Sequence, residues 1–200
     1  MPTELSASPQ SLSSADLFAG ASASTLKIAA ASARWRRVPN GKRIFRQGDE
    51  DARAHVVVAG GVRISQTGSD GAQVVMRFIC AGEMFGTVAL FTDRKYPADA
   101  TAIVDTIEAS WREADLLDLM TRFPQIAINA IRIVGWRLQE MQNRARELAT
   151  RSAEQRIAQA LIRLAQQSGR STPAGTTILL PLRRKDIADI SGTTLFTASR

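Results

Sequence analysis

The sequence predicts an α+β protein in which an antiparallel β-roll is followed by one long helix and a small helix-turn-helix unit. Three observations lead there. Short β-rich runs broken by Gly and Asp turns fill roughly Arg36 to Arg112, a proline-free heptad stripe runs from Ala127 to Leu148, and the basic excess lies wholly beyond residue 120. The net charge is +7, but residues 1–120 hold 13 Lys+Arg against 14 Asp+Glu, and residues 121–200 hold 13 against 5. The expected divisions are an N-terminal tail over 1–22, a roll domain over 23–120, a dimerisation helix over 121–149 and a helix-turn-helix unit over 150–200.

Met1 to Ser14 is rich in Ser, Ala and Pro and lacks the basic start and apolar block of a secretory signal, so a short disordered lead-in is expected. Val56–Val58, Val62–Ser65, Val74–Ile79 and Thr101–Ile107 are rich in branched residues, and Gly48-Asp49, Gly60-Gly61, Ser69-Asp70-Gly71 and Gly82 punctuate them. Ser69-Asp70-Gly71 between two such runs is a hairpin signal, and a compact antiparallel barrel or roll follows. Phe123-Pro124 can open a helix because proline tolerates the first turn. Ala127, Ile131, Val134, Leu138, Met141, Ala145 and Leu148 then recur at alternating spacings of four and three. A narrow stripe of that period favours a two-stranded coiled coil, hence a homodimer, over packing inside one chain. Gly135 lowers helix stability by about 1 kcal/mol relative to Ala and marks a bend or a close approach. Ser152 and Gln155 have the spacing of a helix cap. Ile157, Ala160, Leu161 and Leu164 mark the helix it opens, Ser168 to Gly175 reads as a turn-rich loop, and Thr176 to Leu182 reads as a short strand.

Composition removes several function classes. Cys80 is the only cysteine and His55 the only histidine, so an internal disulfide and a four-cysteine zinc or iron–sulfur site are out of reach. A Ser–His–acid triad would have to use His55, which sits in the apolar run Ala54-His55-Val56-Val57-Val58, where buried filler is the better reading. With no P-loop or dinucleotide-binding glycine pattern either, the chain is read as a non-enzyme. No stretch approaches the roughly 20 apolar residues that span a bilayer, and a cytoplasmic protein without membrane contact is expected.

The segment Arg183 to Arg200 carries the chemistry. Ala188 is small where two helices must cross, and Gly192 suits a turn with positive φ. Ile187, Ile190, Leu195 and Ala198 can form a shared core, while Thr194, Thr197, Ser199 and Arg200 project from the second helix with the donors and acceptors that a major-groove reader needs. Spacing alone leaves an ordinary helical hairpin open; the adjoining basic surplus and the dimer stripe favour double-stranded DNA.

Leu182, Asp186-Ile187-Ala188, Gly192, Thr194, Thr197 and Ser199-Arg200 are spaced as in the helix-turn-helix of the fumarate-nitrate branch of the Crp/Fnr transcription regulators, which the chain resembles from about Arg36 to Arg200. Gly82-Glu83-Met84-Phe85-Gly86, followed by Ala89-Leu90-Phe91, resembles that family's effector cassette. The resemblance implies a cyclic-nucleotide-binding-like jelly roll as sensor, a winged helix-turn-helix on a palindromic site, and RNA polymerase as partner. It also implies that the family's recognition helix and β-wing continue beyond Arg200, so that the unit is truncated. Arg183, Thr194, Phe196, Thr197, Ser199 and Arg200 are the implied DNA contacts, with Phe196 where that branch usually has a base-reading Glu. Ile131, Val134, Leu138, Met141, Ala145 and Leu148 are the expected dimer interface.

The implied effector pocket comprises Gly82, Glu83, Gly86, Thr87, Tyr96, Pro97, Ala98 and Met141. The family's cyclic-AMP binders present a Glu to the ribose and an Arg-Ser pair to the phosphate. Here Thr87 and Tyr96-Pro97-Ala98 stand in those places, and Met141-Gln142 replace the adenine-reading pair, so cyclic AMP is disfavoured. The single Cys80 likewise disfavours an iron–sulfur cluster. Gly192-Thr193-Thr194-Leu195-Phe196-Thr197 and Tyr96-Pro97-Ala98 resemble the nitric-oxide-responsive regulators of denitrification, and this implies haem as a candidate cofactor. His55 is the only imidazole that could bind its iron, and it stays open between that role and a structural one; Cys80, Met141 and a ligand from the N-terminal tail are the other candidates. Two further readings remain beside these: a cyclic-nucleotide-binding module that regulates an enzyme or channel, and a constitutive regulator whose pocket is structural filling.

Overall fold

The computed structural model describes residues 8–200. Helix α1 (Ala23–Ser32) leads into strands β1 (Arg34–Val38), β2 (Arg43–Phe45), β3 (Arg53–Ala59), β4 (Gly61–Thr67), β5 (Gln73–Cys80) and β6 (Met84–Phe85). Helix α2 (Thr87–Phe91), strands β7 (Asp99–Ala102) and β8 (Thr106–Arg112), and helix α3 (Glu113–Arg122) complete the first part. The long helix α4 (Pro124–Thr150) is followed by α5 (Ala153–Ser168), the hairpin β9 (Gly169–Thr172) and β10 (Gly175–Ile178), and the helices α6 (Arg184–Ser191) and α7 (Leu195–Ser199). Jelly-roll sheet, long helix and helix-turn-helix thus follow one another as expected from the sequence.

Two antiparallel sheets face each other, with strand orders β1-β8-β3-β6 and β2-β7-β4-β5. Side chains alternate across a strand, and β3 shows how this builds two cores. Ala54, Val56 and Val58 point outward into a cluster with Phe18, Trp111, Leu116 and Ile126, while Val57 points inward to Ile44, Phe45, Phe85 and Tyr96. The Trp111 indole N–H donates to the Ala29 carbonyl at 2.9 Å, tying β8 to α1.

Three expectations need correction. The Ser-rich lead-in belongs to the outer core from Pro9 onward: Pro9–Leu12 is a 3-10 turn, and Leu12, Leu17 and Phe18 are buried. Its small polar residues hide three anchors that the composition averages out; residues 1–7 of that expected tail lie outside the described residues. The run Thr101–Ile107 is split between β7 and β8, in opposite sheets, because the chain turns at Ile103–Asp105. The loop expected over 168–175 contains β9, which pairs antiparallel with β10. Gly135 lies inside α4, which runs through it from Pro124 to Thr150.

Helix α4 buries one face and exposes the other. Ile126, Asn129 and Ile133 face the roll, and the Asn129 amide donates to the carbonyls of Leu17 at 3.1 Å and Ala19 at 2.9 Å. Ile131, Val134, Leu138 and Met141, on the heptad stripe, are between 53% and 71% exposed. Ser152 and Gln155 form the expected capping box at the start of α5.

Candidate functional site

Two places bring chemistry-bearing residues together: the α6–α7 pair and the inner face of the roll. Gly192 ends α6 in the left-handed region, φ 62°. Its N–H donates to the Asp189 carbonyl at 3.2 Å, and the next N–H, that of Thr193, reaches the Ala188 carbonyl at 2.9 Å, closing the turn. The positive φ favours glycine, and a Cβ here, 2.7 Å from Leu148 Cδ2, would also push the end of that side chain aside. Arg156 of α5 clamps the same turn, donating to the carbonyls of Ser191 and Gly192, each at 3.0 Å.

The implied DNA contacts divide into cap residues and free ones. The Arg183 guanidinium is held by Asp186 at 2.8 and 3.1 Å, and Asp186 also accepts from the Arg183 N–H at 2.9 Å. Burial alone would raise the Asp186 pKa, but the hydrogen bonds from Arg183, then the charges of Arg183 and Arg63, hold it below the usual range. Thr194 caps α7, accepting from the Thr197 N–H at 3.2 Å, and the two hydroxyls meet at 2.9 Å. The Ser199 hydroxyl donates to the Leu195 carbonyl at 2.7 Å. Phe196 is 72% exposed, with the Arg200 guanidinium 5.7 Å above its ring.

The inner face of the first sheet is polar at one end. Register places Arg36 opposite Glu108 and His55 opposite Ser110. Glu108 is fully buried and accepts from Arg36 at 2.5 Å and from His55 Nδ1. Burial pushes its pKa up, but the His55 hydrogen bond, then the His55 and Arg36 charges, outweigh this and hold the carboxyl below its ordinary range. An ionised carboxylate only accepts, so it fixes Nδ1 as protonated, and in the neutral ring leaves Nε2 to accept from the Tyr96 hydroxyl at 3.0 Å. The Tyr96 ring stacks on Phe45 at 3.7 Å. Glu108, Arg36 and Arg53 were not singled out from the sequence. The signal that could have found them is a Glu among Thr, Ala, Ser and Trp in a strand, where an unpaired charge would be too unfavourable to bury.

Residues 35–123 match the cyclic nucleotide-binding domain, and residues 155–200 match the Crp-like helix-turn-helix domain. The chain is 32% identical over 185 residues to the cyclic AMP receptor protein of Thermus thermophilus, covering 92% of this chain and 82% of that one. The chain belongs to the Crp/Fnr family of transcription regulators. The nitrogen fixation regulation protein FixK of Rhizobium meliloti is 30% identical over 160 residues, covering 80% of this chain and 69% of that one. A solved structure of the c-di-GMP responsive global regulator CLP of Xanthomonas campestris superposes with a TM-score of 0.76 at 24% identity, covering 90% of this chain and 89% of that one. As a Crp/Fnr regulator the chain is a DNA-binding protein, and its helix-turn-helix and its relatives indicate a homodimer.

Against the family's cassette, the implied pocket residues fall into separate places. Gly86, in the left-handed region at φ 78°, caps α2, and a Cβ there would lie 2.7 Å from His55 Cδ2 and 3.4 Å from Tyr96 Cε1. Thr87 and Ala98 are buried, and Pro97 is exposed. Glu83 belongs elsewhere: it accepts from the Cys80 N–H at 2.6 Å, Arg77 at 2.9 Å and Gln167 of α5 at 2.5 Å. Gly82 receives the N-terminal segment, its carbonyl accepting from the Asp16 N–H at 3.0 Å. Met141 lies exposed on the α4 stripe, and Leu148, though also exposed, reaches the Gly192 turn of its own chain. Among the described residues, neither His55 nor Cys80 suits a haem iron. Both His55 nitrogens are engaged by Glu108 and Tyr96, and burial, then Glu83, push the Cys80 thiol up to about 12, away from the thiolate an iron needs.

Proposed function

We propose that the chain is a homodimeric, effector-gated transcription regulator. The roll over 23–120 senses, the helix over 121–149 pairs with its copy, and the unit over 150–200 reads a palindromic DNA site. The uncovered stripe Ile131, Val134, Leu138, Met141 carries this proposal: four large apolar side chains at heptad spacing stand in water on a helix whose other face is packed. A signal in the roll shifts how the two α4 helices pair and so sets the spacing of the two recognition helices along one DNA turn. Arg183, Thr194, Phe196, Thr197, Ser199 and Arg200 face the DNA, RNA polymerase is the protein partner, and the cytoplasm is the place of action. No described helix is long and apolar enough to cross a membrane.

The effector is nitric oxide or another nitrogen oxide, and the genes are those of nitrogen-oxide metabolism. The Gly192–Thr197 and Tyr96–Ala98 motifs support this. So do the buried Thr87, where a ribose-binding Glu would stand, and Pro97-Ala98, which bring no guanidinium to a cyclic phosphate. The test is anaerobic fluorescence anisotropy on palindromes selected from a random library, with free protein, nitric oxide and cyclic AMP compared. Tight, salt-sensitive binding only with nitric oxide supports the proposal. Activation by cyclic AMP alone overturns the effector assignment, and equal binding in every state removes gating while leaving DNA recognition.

A further inference from the structure

Helix α7 has two unlike sides. Thr197 and Ala198 are half-buried, while Phe196, Ser199 and Arg200 are exposed. Residues three and four apart share a helix face, so these last three stand together on the outer side. The hydroxyls of α7 are already engaged: Thr194 caps the helix and meets Thr197, and Ser199 donates to the Leu195 carbonyl. What this side offers a partner is a ring and a guanidinium, and they lie together, with Arg200 Cζ 5.7 Å from the Phe196 centroid.

Phe196 is the residue that needs a reason. Among the described residues it is the most open of the large apolar side chains, 72% exposed against 52% for its neighbour Leu195. Its ring carries neither a hydrogen-bond donor nor an acceptor, so it cannot read the polar pattern of a base edge. The apolar feature that the major groove presents is the 5-methyl group of thymine, and an aromatic ring suits it. The charge around the ring suits the same groove. The basic excess of the chain lies beyond residue 120, and the Arg200 guanidinium beside the ring is the group that phosphates and guanine edges attract.

We propose that Phe196 is a specificity residue that packs against the 5-methyl group of one thymine in each half-site. The regulator then tells thymine from bases without that methyl by an apolar contact, at a position where it makes no hydrogen bond of its own. This assignment rests on α7 facing DNA, as proposed above. A second copy or a protein partner seated on Phe196 would leave base preference untouched, and this separates those occupants from DNA.

The test uses the full chain and a palindrome that it selects from a random duplex library, in the effector state that binds most tightly. Each symmetric pair of thymines is replaced in turn by deoxyuridine, which removes the methyl and keeps the base pair. Burying one methyl is worth roughly fourfold in affinity, and a dimer reads two half-sites, so losing the pair that Phe196 meets should weaken binding about tenfold. Phe196→Ala should bind the thymine and deoxyuridine sites alike, with Tm unchanged because the ring is exposed. Leu195→Ala, as the control, should keep the discrimination. The proposal is overturned, with DNA binding intact, if no thymine pair is sensitive to its methyl. It is equally overturned if the penalty persists in Phe196→Ala, or vanishes in Leu195→Ala instead. Failure to select any site overturns α7 as the reading helix, and the methyl contact with it.

Discussion

Trp111, Phe18, Met84, Leu116 and Leu119 are buried in one cluster that the roll, its N-terminal segment and the helices around it complete among themselves. Beyond Ser152, only Ala160, Leu164 and Ala188 among the apolar residues are buried, and Leu164 is covered by Val75 and Phe78 of β5. Ile178, Leu180, Leu182 and Ile190 are half-buried against the same two roll residues. The roll thus makes its own core, whereas the helix-turn-helix unit borrows part of its core from the roll. Polar contacts follow the same line: Arg144 donates to the Met76 carbonyl at 2.8 Å and to the Ile190 carbonyl at 3.0 Å, and Gln167 donates to the Phe78 carbonyl at 2.9 Å. A unit with few buried contacts of its own opens at low free energy, so the position of α6 and α7 is sensitive to what β5 does.

The largest expected effect touches neither core. Leu138→Asp places a charge on a residue that is 56% exposed in the single chain, so both halves should fold as before. In a dimer that charge would be buried without a partner, at about 3 kcal/mol or roughly 100-fold in association. Sedimentation should show monomers, and anisotropy should show DNA affinity lost with the dimer. Dimers with unchanged DNA affinity would separate α4 pairing from function.

Glu108→Gln strikes the roll alone. It leaves Arg36 and His55 in the roll without their shared counter-charge, and should lower stability by about 3–5 kcal/mol. The folded-state pKa of Glu108 lies below its ordinary value of 4.5. Its contribution is therefore present at neutral pH, declines once the pH falls below 4.5, and is lost as the pH passes through the lower folded value. Urea melts from neutral pH into that range should show the wild-type chain losing stability with acid more steeply than Glu108→Gln. Parallel curves would mean that Glu108 is not ionised in the folded roll.

The two regions also differ in how far their sequences could be read. The heptad stripe, Gly192 and the Ser152–Gln155 cap are local patterns set by helix periodicity, by positive φ and by a three-residue spacing, and each is where it was expected. The roll interior is not local. Arg36, His55, Tyr96 and Glu108 meet across 72, 53 and 41 residues of chain, and no window of sequence contains that geometry. His55 shows the limit well: burial was legible from its apolar neighbours, but not the carboxylate and the phenol that occupy its two nitrogens. The cassette misled in the other direction, because Glu83 and Gly86, which flank β6, serve different contacts: Glu83 meets Arg77 and Gln167, and Gly86 packs against His55.

The smallest effect is expected where the two regions touch through charge. Arg63 of β4 lies 3.6 Å from Asp186 of α6, with 18% and 2% of their side chains exposed. Asp186 keeps Arg183 as a closer partner, and Arg63 Nε has no hydrogen-bond partner, so the pair is loosely made. Arg63→Met should therefore cost no more than about 1 kcal/mol, since an apolar chain of similar length can replace a weak ion pair with little loss. Hydrogen exchange should localise it: amides of α6 should lose roughly fivefold protection, while those of β3 stay unchanged. Equal loss in both regions would mean that the roll and the helix-turn-helix unit open together, and that the borrowed core around Val75 and Phe78 makes them one cooperative body.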